Sequence, residues 1–161
     1  MRAALIAALV ALAGPAQGQG LLAILHEQSG TVAPVYAWSS EVRFHLGGRV
    51  TVIYCRGYAR TAPGCATVKS VVLPHAYEAL ERALAPLAAD LFAHPAAEDP
   101  NPPIGGGAAW AVLVQDGATL ALPAHPMAQD GARIGAVLAL LRQAVPIAAM
   151  DAAASSARGP T

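Results

Sequence analysis

Polar and apolar residues alternate over Glu41-Val42-Arg43-Phe44-His45, break at Leu46-Gly47-Gly48, and resume over Arg49-Val50-Thr51-Val52-Ile53-Tyr54. Alternation with period two on both sides of a glycine pair predicts a β-hairpin. Directly opposed residues share a face, so only an odd loop sets like against like. A three-residue loop, Leu46-Gly47-Gly48 with Gly48 left-handed, gathers Val42, Phe44, Val50, Val52 and Tyr54 on a core side. The other side then carries Glu41, Arg43, His45, Arg49 and Thr51, a mostly basic ribbon facing solvent or a partner.

Upstream, the short apolar runs 21–26 and 32–38 predict an entering strand or two, separated at Ser29-Gly30. Downstream, 67–73 is β-branched and apolar enough for a further strand, and Pro74 suits the first turn of a helix. Tyr77, Leu80, Leu84, Leu87 and Leu91 recur at spacings of three and four and make one helical stripe. Pro86 lies inside that pattern and predicts a kink or break near Leu84. Residues 95–107 hold four prolines, three glycines and the pair Glu98-Asp99, and read as a long loop whose Gly105-Gly106-Gly107 is a flexible lead-in. Asp116-Gly117 marks a second hairpin. Its two faces are both apolar, Trp110, Val112 and Val114 on one and Leu113, Leu120 and Leu122 on the other, which predicts a central place in the sheet or cover from a second surface. Asp130 is placed to cap a last helix striped by Ile134, Val137, Leu138, Leu141 and Val145 and ended by Pro146.

These elements predict an α+β fold: a two-layer sandwich, mostly antiparallel sheet with two helices packed on one face. At the N-terminus, Arg2 precedes the apolar run 3–13, and small residues follow at Gly14, Ala16 and Gly18, the order of a secretory signal peptide. About eleven apolar residues are too few to span a bilayer. The expected organisation is a signal peptide over 1–18, a single α+β domain over 19–147 and a disordered tail over 148–161, where alanine, serine and glycine lack any period. Cleavage after Ala16 or after Gly18 satisfies the small-residue rule equally. The expected location is periplasmic or secreted, with no membrane span in the mature chain.

With Arg2 removed, nine lysines and arginines stand against ten acidic residues, so the charge gives no footprint for nucleic acid. The charge is uneven, though: Arg43, Arg49, Arg56, Arg60 and Lys69 are the only ionised side chains over 42–77 apart from histidines, whereas 78–130 is mostly acidic. A basic end of this kind suits an anionic partner. The two cysteines, Cys55 and Cys65, form an even pair in a chain expected to reach an oxidising compartment, which predicts a disulfide. Closing so short a loop is worth about 2.5–3 kcal/mol on the chain-entropy model.

Catalytic constellations are missing from the pattern. No Gly-x-Ser-x-Gly elbow occurs, and the glycine triplet precedes a strand rather than a helix, unlike a phosphate-cradling loop. His94, Glu98 and Asp99, joined by His125, form the one set with metal-ligand chemistry, the basis of an alternative reading as a metal-binding protein or metal-dependent enzyme. The stapled loop is the more suggestive feature: Tyr58 lies between Arg56 and Arg60, an aromatic and two guanidinium groups as found at interface hot spots. Arg43, His45, Arg49, Arg56, Tyr58 and Arg60 are therefore the candidate binding residues. The leading expectation is a noncatalytic exported binding protein without cofactor, whose partner is another envelope or secreted protein or an anionic envelope component. A third reading, an accessory subunit of an envelope complex, predicts an exposed apolar patch.

Overall fold

A computed structural model describes residues 20–103 and 105–158, so the signal peptide expected over 1–18 lies outside the described residues. The strands are β1 (Leu21–Gln28), β2 (Trp38–His45), β3 (Arg49–Arg56) and β4 (Cys65–Val71). After the helix α1 (Pro74–Ala93) come β5 (Ala108–Gln115) and β6 (Ala118–Ala121), then the helices α2 (Gly131–Ala144) and α3 (Ile147–Ser156). The strands form one six-stranded antiparallel sheet in the order β4-β3-β2-β1-β5-β6. The α+β sandwich is thus present, with three helices rather than two among the described residues.

The first hairpin turns through Leu46-Gly47-Gly48, with Val42 opposite Val52 and Phe44 opposite Val50. Gly48 has φ +80°, and a Cβ there would lie 3.2 Å from the Val72 carbonyl oxygen, so both conformation and space call for glycine. Ala23, Leu25, Val42, Phe44, Val50, Val52, Ala111 and Leu113 share the face toward the helices and are buried. They join Tyr77, Leu80, Leu84 and Leu91 of α1 and Ile134, Val137, Leu138 and Leu141 of α2 in one core. Burying each valine, leucine, isoleucine or phenylalanine among them is worth roughly 1.5–3 kcal/mol.

Several expectations need correction. Residues 32–37 are a turn rather than a strand. Of the kink or break expected near Leu84, the break is absent: α1 is one continuous helix through Pro86. Pro86 is exposed, so the carbonyl its ring deprives of a partner faces water, while Leu84 and Leu91 anchor the helix on either side. The second hairpin is not central: β6 is an edge strand, and β1 takes the interior place between β2 and β5. Only the end of the Gly105-Gly106-Gly107 lead-in runs close against 28–30: a Cβ on Gly30 (φ +79°) would fall 1.6 Å from the Gly106 carbonyl oxygen and one on Gly107 2.9 Å from that of Gln28, whereas Gly105 faces open space.

Asp130 stands at the N-cap of α2 without a side-chain cap bond. Its φ and ψ of −97° and −11° are already helical, and its carboxylate instead accepts from Arg133 at 2.7 Å and from the Ala97 amide at 3.4 Å. Arg133 also reaches Asp90 at 2.7 Å and the His94 carbonyl at 2.9 Å, which ties the start of α2 to the end of α1. The Arg133 guanidinium beside Asp90 holds that carboxyl below the usual carboxylate range.

The largest correction concerns the C-terminus. Residues 147–156, expected to fray from 148 onward, form α3 and pack on β3 and β4. Ala149, Ala153 and Ala157 are buried at four-residue spacing. Methyl groups alone let the helix lie close to the sheet, and Arg158 donates its amide to the Pro63 carbonyl at 3.0 Å.

Candidate functional site

The six candidate residues divide between the two ends of one hairpin. Arg43, His45 and Arg49 lie toward the Leu46-Gly47-Gly48 turn, whereas Arg56, Tyr58 and Arg60 follow the far end of β3. Seven residue steps of extended chain separate Arg49 from Arg56, about 23 Å. They belong to two surfaces.

The far end is a clamped double loop. Cys55 and Cys65 are directly opposed in the β3–β4 ladder and are joined by a disulfide. Within the loop, Arg56 N donates to Gly64 O at 2.9 Å and Cys65 N to Thr61 O at 3.1 Å. Gly57 N donates to Ala37 O at 2.8 Å and the Tyr58 hydroxyl donates to the Val32 carbonyl, which fixes the 31–36 turn against the stapled loop. Arg56, though exposed, reaches across to α3, donating to Ala154 O at 3.0 and 3.1 Å. Arg60 is exposed. Between them the two loops hold Val35 at 71%, Tyr36 at 73% and Tyr58 at 55% exposure, with Val32 beside them. Val35 and Tyr36 were not among the sequence candidates; the signal was Pro34 and a run of apolar residues that no period could place on a core face.

The turn end belongs to the sheet face that no helix covers among the described residues. Cross-strand register sets Ala121, Val112, Ile24, Arg43, Thr51 and Lys69 in one row from β6 to β4, and Trp110, His26, Glu41, Ile53 and Thr67 in the next. The β5–β1 half is apolar and aromatic; the β2–β4 half is polar and basic. Glu41 pairs with Arg43 and sits 3.7 Å from His26. His26 stacks on Trp110 with ring centroids 5.0 Å apart and planes 12° from parallel. His45 Nε2 lies 3.2 Å from Thr51 Oγ1.

Both histidines are held below the ordinary imidazole range. For His26 burial is the main cause, opposed by Glu41 and reinforced by Arg43; for His45 burial is joined by Arg49 and Arg43. A depressed folded-state value means that the unfolded chain takes up the proton first. The stabilisation is complete above about 6.5 and declines as the pH falls below it. The expected result is a fall in unfolding free energy between pH 7 and 5 that a His26→Gln/His45→Gln variant flattens, as read by urea titrations across that range. Equal slopes in both proteins would contradict the assignment.

The metal alternative loses its ligand set. His94 lies 3.5 Å from Asp90, Glu98 Oε1 accepts the His125 backbone amide at 3.1 Å, and Asp99 Oδ1 accepts the Asn101 amide at 2.8 Å. One oxygen of each acid orders the 95–107 loop, and among the described residues no group of three or more His, Cys, Asp or Glu side chains is placed to hold a metal ion.

The disulfide is compatible with an exported protein. Among the described residues no single helix is long and apolar enough to cross a membrane; α2 and α3 pass that test only as a pair bent by 80°. No family model matches the chain, and no curated protein matches it significantly.

Proposed function

We propose that the chain is a noncatalytic, exported binding protein that grips another envelope or secreted protein through the clamped tips of residues 31–36 and 56–64. The observation that carries this reading is the exposure of Val35, Tyr36 and Tyr58 on loops held by a disulfide and by the Gly57–Ala37 and Tyr58–Val32 bonds. Large apolar groups in water cost free energy, and rigid ones lose little entropy on docking, which is the economy of an interface hot spot. Arg60, with no acid in either tip, favours a partner with an acidic rim. Arg43, His45 and Arg49 then form a separate basic surface, available to an anionic envelope component.

The test avoids Arg56 and Tyr58, whose side chains also hold the fold. A Val35→Ser/Tyr36→Ser variant, combined with Arg60→Glu, is expected to keep its unfolding midpoint and to retain at least about tenfold less of the proteins cross-linked from envelope extract, the loss of a hot spot. Unchanged retention, against an Arg43→Ala/Arg49→Ala control, refutes the tip as the contact. A second reading, an accessory subunit of an envelope complex, is favoured by Leu46, Val71 and Leu73, which are exposed at the opposite end of the hairpin. It predicts that Val71→Lys/Leu73→Lys, rather than the tip variant, abolishes retention.

A further inference from the structure

We propose that the cleft beside Trp110 is a binding subsite for a neutral saccharide. The second hairpin turns at Asp116-Gly117 and pairs Val112 with Ala121, so the next position on this face would set Trp110 opposite residue 123. That residue is Pro123, and β6 stops at Ala121. Trp110 therefore has the His26 ring of β1 on one side and no strand on the other. An open cleft of about 540 Å³ occupies that side, lined by Trp110, Gln28, Glu98, Ala121, Pro123 and Ala124. Its volume falls within the range of small-ligand sites.

The lining combines one aromatic wall, small apolar groups and two polar side chains. Stacking by His26 at 5.0 Å holds the indole in place before any ligand arrives. Glu98 is also preset: Asp99 N donates to His125 O at 2.7 Å and Met127 N to Ala97 O at 3.0 Å, and Glu98 Oε1 takes the His125 amide, which leaves Oε2 for a ligand. A pyranose ring carries the complementary surfaces in one molecule. Its C–H face bears slight positive charge and stacks on the negative face of the indole. Its hydroxyls both donate and accept, and so match a carboxylate that only accepts and an amide that does both. An anion would be repelled by Glu98, and a wholly apolar ligand would strand Glu98 Oε2 and the Gln28 amide without partners.

No residue of the 31–36 or 56–64 tips lines the cleft, so the two surfaces are independent. The experiment follows the indole N–H resonances of Trp110 and Trp38 while the protein is titrated with cellobiose, N,N′-diacetylchitobiose and maltose, and separately with choline. The expected result is a saturable shift of the Trp110 signal, and not of Trp38, with at least one disaccharide. Glu98→Gln keeps an oxygen to accept the His125 amide, so it stays folded, and is expected to weaken binding by about tenfold, the worth of a charge-assisted hydrogen bond. Gln28→Ala tests the amide in the same way and should also weaken binding. No saturable shift with any of the three sugars, a response to choline instead, or sugar affinity indifferent to both substitutions overturns the proposal.

Discussion

Replacing Phe44 by alanine is expected to lower the unfolding free energy by about 3–5 kcal/mol, the cost of emptying a fully buried aromatic site. Phe44 has 0% exposure and is the largest of the fully buried side chains among the described residues. It stands on β2, opposite Val50 and beside Ala23 in the ladder, beneath the helices. A strand paired on both edges cannot move in to fill the space, so the cavity persists. Against a typical total of 5–15 kcal/mol, the loss is a large share of stability. Arg43, one residue away, points to the uncovered face, and Arg43→Ala should change stability by no more than about 0.5 kcal/mol. Urea titrations of both variants, with the m-value held constant, check the pair. Comparable losses, or a larger one for Arg43, would mean that β2 is shifted by one residue and that the open face has been assigned to the wrong side.

That contrast also marks how far the chain is readable. Both hairpins follow from local signals: a glycine pair between alternating segments, and Asp116-Gly117 with φ of 50° and 80°. Turn parity alone identifies the core face of β2 and β3, because one loop residue more or less would exchange the faces. The position of β1 between β2 and β5 is a different matter. It rests on pairings such as His26 with Glu41 and His26 with Trp110, and the second of these spans most of the sheet's sequence. No local pattern encodes such contacts. α3 was hidden for another reason: its contact stripe is Ala149, Ala153 and Ala157, a four-residue period written in a residue that also fills surfaces and tails. Asp130 carries the right chemistry for a cap, and tertiary demand from Arg133 and Ala97 redirects it.

The candidate site was legible in composition and illegible in geometry. Sequence proximity places Arg56, Tyr58 and Arg60 together, yet strand parity turns Arg56 toward α3 and leaves Tyr58 to fasten a loop that begins more than twenty residues earlier. What the pairing adds is the 31–36 turn, invisible as a partner until Gly57 and Tyr58 bond to it. The Trp110 cleft was legible in principle. Once Asp116-Gly117 sets the register, Pro123 falls opposite Trp110, and a proline there ends the ladder and exposes one flank of the indole.

Removing the disulfide with Cys55→Ala/Cys65→Ala is expected to cost about 2.5–3 kcal/mol, through the freedom restored to the unfolded chain. The folded loop has other restraints. Arg56 N and Cys65 N close its neck, Gly57 N and the Tyr58 hydroxyl tie it to the 31–37 segment, and Arg158 N binds Pro63 O from beyond α3. These bonds persist without the sulfur link, so the variant should keep its far-UV spectrum at 25 °C while its urea midpoint falls. If the tips are the contact surface and hydrogen bonds set their geometry, the folded variant retains the cross-linked partner as well as the parent does. Loss of partner from a variant still fully folded would show that the covalent link itself positions Tyr36 and Tyr58. An unchanged midpoint would mean that the short loop is already closed in the unfolded ensemble, leaving the bond no entropy to remove.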